Sequence, residues 1–211
     1  FFTRLNLSEL TGLRAVTLGQ LVGLIKSVPG SCIYHHTHRF LQQHQYLSPE
    51  PPNDFAHWVS QILGEEELGE QLASIDTIQF SAIRSLRDEI VRTIDSYLED
   101  HQMAKIKFTR LEDAFHFIKS VSFVIPTEYV ATDLREFLEV LKKITIDSIY
   151  FHIFEARLRL EKGKNDFSYW IENSVGNLDL AVEIARLDPY TFTMENLRKT
   201  VISIIERRMD S

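Results

Sequence analysis

Asn53-Asp54-Phe55-Ala56-His57-Trp58-Val59 returns 112 positions later as Asn165-Asp166-Phe167-Ser168-Tyr169-Trp170-Ile171. The same offset pairs Gly64 with Gly176, Leu68 with Leu180, Ala73 with Ala185 and Asp76 with Asp188; Leu72/Ile184 and Ile75/Leu187 are apolar exchanges. Upstream, Ile33-Tyr34-His35-His36 is matched by Ile149-Tyr150-Phe151-His152 at an offset of 116. The difference places a four-residue insertion in the Pro-rich stretch Ser48-Pro49-Glu50-Pro51-Pro52. A unit of about 100 residues can bury a core of its own. The pattern therefore predicts a tandem internal duplication. Residues 1–100 form a first helical repeat, 101–114 a polar linker and 115–211 a second repeat, as two helical lobes related by a pseudo-two-fold axis with a seam between them.

Working outward from these blocks, each half reads in one order. A short alternating segment opens it, Phe1 to Leu7 and Phe115 to Val124. Alternation of apolar and polar residues predicts one half-buried strand per lobe, and the two strands are expected to pair. A helix follows from Leu18 and from Leu134. Thr17 with Gln20, and Asp133 with Glu136, have the spacing of capping boxes. The next helix carries the Tyr-His segment, with Ser31 and Asp147 as expected N-caps. A third opens at Asn53 and Asn165 and ends near Gly64 and Gly176. A short fourth covers Leu68–Ile75 and Leu180–Leu187. The last carries Leu86, Ile90, Ile94 and Leu98, matched by Leu197, Val201, Ile205 and Met209. The fold class is mainly α with a minor β contribution. Trp58 and Trp170 are both expected in the core.

Composition narrows the function. The chain is 44% hydrophobic and 25% charged, ordinary for a soluble globular protein. No apolar run has the length of a membrane span. The net charge of −7, with the basic residues dispersed, argues against nucleic acid as a partner. Cys32 is the single cysteine, which suits a reducing, cytoplasmic setting. The chain opens on Phe1 rather than Met, so the native start is expected upstream. Walker, dinucleotide-binding, nucleophile-elbow and zincin motifs are all missing from the sequence.

The densest chemistry lies in Cys32-Ile33-Tyr34-His35-His36-Thr37-His38-Arg39 and its counterpart around Tyr150, His152 and Glu155. Imidazoles on one helical face, with a carboxylate three residues on, have metal-ligand spacing. A site shared by His36, His152 and Glu155 would be the metal alternative; the main reading expects no cofactor. The competing reading makes the histidines satisfied members of a polar network. Cys32, one turn before His35 and His36, has nucleophile–base spacing but no third orienting residue nearby. Arg39 and Glu155 hold equivalent positions with opposite charge and could pair. Asp54 and Asp166 follow an N-capping Asn, where a carboxylate complements the helix dipole without any chemistry.

The stretch Cys32 to Phe55, together with Tyr150–Leu160 and Leu187-Asp188-Pro189-Tyr190-Thr191, resembles DUF5752, a family of uncharacterised prokaryotic proteins. The resemblance spans nearly the whole chain and implies a prokaryotic protein with no assigned activity. The sequence thus favours a non-catalytic binding or regulatory module, its site formed at the seam by Tyr34, His36, His38, Arg39, Tyr150, His152 and Glu155. The partner would be a small molecule or a protein, and self-association is open. The alternative is an enzyme, metal-dependent or otherwise, using the His-rich helix and its counterpart.

Overall fold

The computed structural model describes residues 1–43, 53–80, 82–156, 164–187 and 192–209, and of residues 39–43 and 78 the backbone alone. The Pro-rich insertion, Asp188 and the end of the second Tyr-His helix lie outside these residues. The chain is mainly helical with a two-stranded sheet. Strand β1 (Phe2–Ala15) and β2 (Phe115–Pro126) run antiparallel. Thr127 N donates to the Phe1 carbonyl, and the Thr11 hydroxyl donates to that of Phe117 (2.7 Å). β1 is longer than its alternation suggested, continuing through Gly12, whose φ of 78° lies in the left-handed region.

Two compact units result. Of the described residues, the N-unit holds 6–43, 53–80 and 82–121, and the C-unit holds 1–5, 122–156, 164–187 and 192–209. The strands are thus shared crosswise. The start of β1 belongs with the second-half helices, and the start of β2 with the first-half helices.

In the N-unit, α1 (Leu18–Ser27) packs on α5 (Ile83–Asp100), burying Leu18, Leu21, Val22 and Ile25 against Leu86, Ile90 and Ile94. Between them in sequence come α2 (Gly30–Gln43), α3 (Asp54–His57), which runs on into a π-turn (Trp58–Ile62), and α4 (Glu66–Ala73). The C-unit holds α6 (Leu134–Leu141) and α7 (Ile146–Tyr150), the latter with a π-turn Phe151–Glu155. It continues with α8 (Asp166–Trp170), whose π-turn spans Ile171–Val175, α9 (Leu178–Ala185) and α10 (Met194–Met209). Helix α10 packs on α6 and α7 through Leu197, Val201, Ile204 and Ile205.

The caps explain where these helices start. Thr17 accepts from Gln20 N (3.1 Å) and Asp133 from Glu136 N (2.8 Å). Buried Asn53 accepts from Ala56 N and donates to the Leu72 carbonyl (3.1 Å). Asn165 does the same with Ser168 N and the Ile184 carbonyl (3.4 Å). Each Asn therefore starts one helix and ties it to the end of the next. Gly64 (φ 66°) and Gly176 (φ 75°), in the left-handed region, follow the π-turns Trp58–Ile62 and Ile171–Val175. The expected caps on the Tyr-His helices are corrected. Helix α2 begins at Gly30, ahead of Ser31. Helix α7 is capped by Thr145, which accepts from Ser148 N (3.2 Å), and Asp147 falls in the first turn.

The tryptophans differ. Trp58 is buried, its indole N–H donating to the Asp113 carbonyl (2.8 Å) and its ring meeting Phe115 edge-on at 5.8 Å. Trp170 is only half-buried and stacks on Phe137 at 4.9 Å, so the expectation of a core position holds for Trp58 alone. The polar linker supplies the carbonyl that holds Trp58. Replacing Trp58 by Ala should cost about 3–5 kcal/mol, as buried aromatics do. Trp170→Ala should cost clearly less. Urea denaturation of the two variants measures the difference, and equal losses would contradict the burial assignment.

Candidate functional site

The seven residues singled out from the sequence fall on two helices. Tyr34, His36, His38 and Arg39 belong to α2 in the N-unit, and the Arg39 side chain is outside the described residues. Tyr150, at the end of α7, and His152 and Glu155, in the π-turn that continues it, belong to the C-unit. Within each unit the histidine is engaged at both ring nitrogens.

His36 Nδ1 lies 2.7 Å from Asp54 Oδ2, and its Nε2 takes the Ile118 N–H of β2 at 3.0 Å. His152 Nδ1 lies 2.8 Å from Asp166 Oδ2, and its Nε2 takes the Phe2 N–H of β1 at 2.9 Å. A backbone N–H can only donate, so each Nε2 carries a lone pair and each Nδ1 carries the proton that the carboxylate accepts. Both rings are therefore neutral Nδ1–H imidazoles. The two aspartates lie in the first helical turn as expected, but their carboxylates also bind imidazoles 18 and 14 positions away, on a different helix.

The other residues pack in parallel ways. Tyr34 stacks on His38 at 5.2 Å, and Tyr150 stacks on Phe154 at 5.0 Å. His35 meets His36 edge-on at 4.9 Å, and Phe151 meets His152 edge-on at 5.0 Å. Where one unit has histidine, the other has phenylalanine, so His35 and His38 serve as flat packing groups. His38 is buried, and that burial lowers its pKa to about 4. The Thr37 hydroxyl, spending its hydrogen on the Ile33 carbonyl, accepts from His38 Nδ1 at 2.7 Å.

Glu155 is buried in an ion pair with Arg4, which also reaches Ser122. A carboxylate held by a guanidinium is a poor candidate metal ligand. Among the described residues, no three His, Cys, Asp or Glu side chains are grouped to hold a metal ion. Cys32 is fully buried, and desolvation pushes its thiol pKa up against the opposing influence of Lys119 and Arg87, the reverse of what a nucleophile needs. Its counterpart Ser148 donates to the Phe2 carbonyl at 2.5 Å.

Three concavities stand out among the described residues, one of them, of about 420 Å³, beside Met103, Ile106 and Phe108. An open polar groove of about 710 Å³ runs between α4 and α5 past Gln71, Asp76, Glu89 and Arg92, with no buried ionisable group. A cleft of about 400 Å³ in the C-unit is walled by Phe1, Phe137, Phe167 and Trp170, with His152 and Asp166 at its edge. Apolar walls with a small number of fixed polar groups are typical of ligand sites. The cleft is the candidate site. Its aromatic lining had a partial signal in the repeated Phe-x-x-Trp, but Phe1 and Phe137 enter only through tertiary structure.

The family described as "Family of unknown function (DUF5752)" matches residues 1–206 of this chain. The chain belongs to the DUF5752 family. No curated protein matches it. A solved structure, OrfY from Thermoproteus tenax, is similar at 28% identity with a TM-score of 0.82, over 100% of this chain and 95% of that one. No helix among the described residues of this DUF5752 chain is long and apolar enough to cross a membrane.

The His38 environment gives a pH signature. Its pKa is lower folded than the ordinary 6.5, so its stabilisation is complete above about 6.5 and is lost as pH falls towards about 4. The limiting slope is about 1.4 kcal/mol per pH unit. His38→Phe, copying Phe154, should remove this component. Denaturation midpoints from pH 7.5 to 4.5 should fall more steeply for the native chain than for the variant; parallel profiles would refute the assignment.

Proposed function

We propose that this DUF5752 chain is an internally duplicated, non-catalytic binding module of the prokaryotic cytoplasm, with the aromatic cleft beside His152 as its ligand site. One observation carries the non-catalytic reading. The Nε2 lone pairs of His36 and His152, the atoms a general base would use, are occupied by backbone N–H groups at 3.0 and 2.9 Å. An Asp–His pair orients a catalytic base only when the far nitrogen faces a substrate. Here it faces a strand.

The duplication is supported by the recurrence of the whole local arrangement, not of single residues. Asn cap, Asp–His bond, strand amide on Nε2, stacked aromatic pair and left-handed Gly return in each unit. A binding role is supported by the chemistry of the cleft, whose aromatic walls carry a small number of fixed polar groups.

Long-range ¹H–¹⁵N spectra of the histidines at pH 7.5 test the reading. Both His36 and His152 should be Nδ1–H tautomers with an unprotonated Nε2 that does not react readily with diethyl pyrocarbonate. An Nε2–H or doubly protonated ring, or a turnover abolished by His152→Gln in a folded protein, would overturn it.

A further inference from the structure

Helix α9 turns an apolar face to solvent where its sequence counterpart α4 turns an acidic one. The inner residues of α9, Leu180, Ala181 and Ile184, are buried. On its outer face Leu178, Val182 and Ala185 follow the i, i+4, i+7 spacing of a single helical stripe. Leu178 is 57% exposed and Val182 39%, while Ala185 is half-buried. The residues 112 positions earlier, on α4, are Glu66, Glu70 and Ala73. Glu66 and Glu70 are exposed, and Glu67 beside them adds a third carboxylate. The branched aliphatic side chains of Leu178 and Val182 add little to the core of their own unit.

Opposite charges flank this stripe along one side. Asp179, in the first turn, and Arg186, just past the last, are both exposed. At about 100° per residue they lie roughly 60° and 40° from Val182 in the same rotational sense, whereas Ala185 and Leu178 lie roughly 60° and 40° from it in the other. Along the helix Asp179 is about 4.5 Å to one side of Val182 and Arg186 about 6 Å to the other. A two-fold axis at Val182 that reverses the helix direction keeps each flank on its own side. It sets Asp179 of one copy level with Arg186 of the other, to within about 1.5 Å along the helix. On the opposite flank it sets Leu178 against Ala185. Glu183, also on the charged flank, is already paired with Arg207 and, at 3.4 Å, with Arg208. The same operation applied to α4 would press Glu70 against its own copy.

We infer that the outer face of α9 is an interface for a second copy of this chain, with two α9 helices packed antiparallel about a two-fold axis at Val182. Val182 meets its own counterpart, Leu178 covers Ala185 on one flank, and Asp179 pairs with Arg186 on the other. An isologous contact presents one patch to itself, so the patch has to be self-complementary about the axis. In α9 it is so in both apolar shape and charge. Each copy contributes a helix of eight residues, which places the contact at the weak end of specific interfaces and makes association concentration-dependent. None of these residues lines the aromatic cleft, so the interface is independent of the ligand-site reading.

Sedimentation equilibrium of the full chain tests this directly. The weight-average mass should rise from that of one chain towards that of two as concentration increases through the micromolar range. Leu178→Glu combined with Val182→Glu copies α4. Both side chains are exposed, so the variant should keep the thermal midpoint of the dilute native chain while its association weakens more than about tenfold. Asp179→Arg alone, or Arg186→Asp alone, sets like charges opposite each other and should weaken association about tenfold. The double swap Asp179→Arg with Arg186→Asp should restore most of that loss, which a local disturbance of the helix would not do. A chain with the mass of one copy at every concentration would overturn the inference and leave the face to a different partner. A dimer unaffected by the paired glutamates would overturn it too, since association would then use another surface. Single charge variants that the swap fails to rescue would refute the antiparallel register and the interface built on it.

Discussion

Each unit is organised around an imidazole held between a helix carboxylate and a strand amide. A two-stranded ribbon leaves backbone groups on its outer edges without partners, and a hairpin alone is marginal in water. The helices supply the missing partners. His36 gives Ile118 an acceptor, and His152 gives one to Phe2, whose carbonyl is in turn met by Ser148. The ring can do this only as the Nδ1–H tautomer, and the aspartate selects that tautomer by accepting the other proton. The aspartate is itself aimed by the Asn cap before it, which is anchored to the end of the next helix. Cap, carboxylate, imidazole and strand form one chain of constraints.

This arrangement changes the meaning of the His-rich segment. His35, His36 and His38 are adjacent in sequence yet do different work. His36 holds a strand; His35 lies edge-on to it; His38 stacks on Tyr34 in a pocket dry enough to keep it neutral. The C-unit uses phenylalanine at the last two positions and keeps histidine only where a proton and a lone pair are both required. A stretch that reads as reactive is mostly flat surface. The same holds for Cys32, a small buried group in the place of Ser148.

The two units part company at the tryptophans. Phe115 and the Asp113 carbonyl finish the packing around Trp58, while the rings around Trp170 enclose an open cleft. Burial of an aromatic face is among the larger favourable terms available to a folded chain. An assembled set of rings left facing solvent is therefore where added contact stabilises most.

What the sequence determined by itself is what local chemistry decides. The Asn caps, the caps at Thr17 and Asp133, the left-handed glycines and the apolar stripes of α5 and α10 depend on neighbours within a few residues, and all were legible. The family was legible too, in the Tyr-His and Asn-Asp-Phe segments. Tertiary structure alone decided that the Asp54 and Asp166 carboxylates bind histidines, that His36 reaches an amide 82 positions away, and that Phe2 reaches one of the C-unit's rings 150 positions on. It also decided the crosswise sharing of the strands and the unequal burial of Trp58 and Trp170. Periodicity tells which face of an element is apolar. Which distant polar group completes a hydrogen bond depends on how faces meet in space, and no spacing along the chain encodes that.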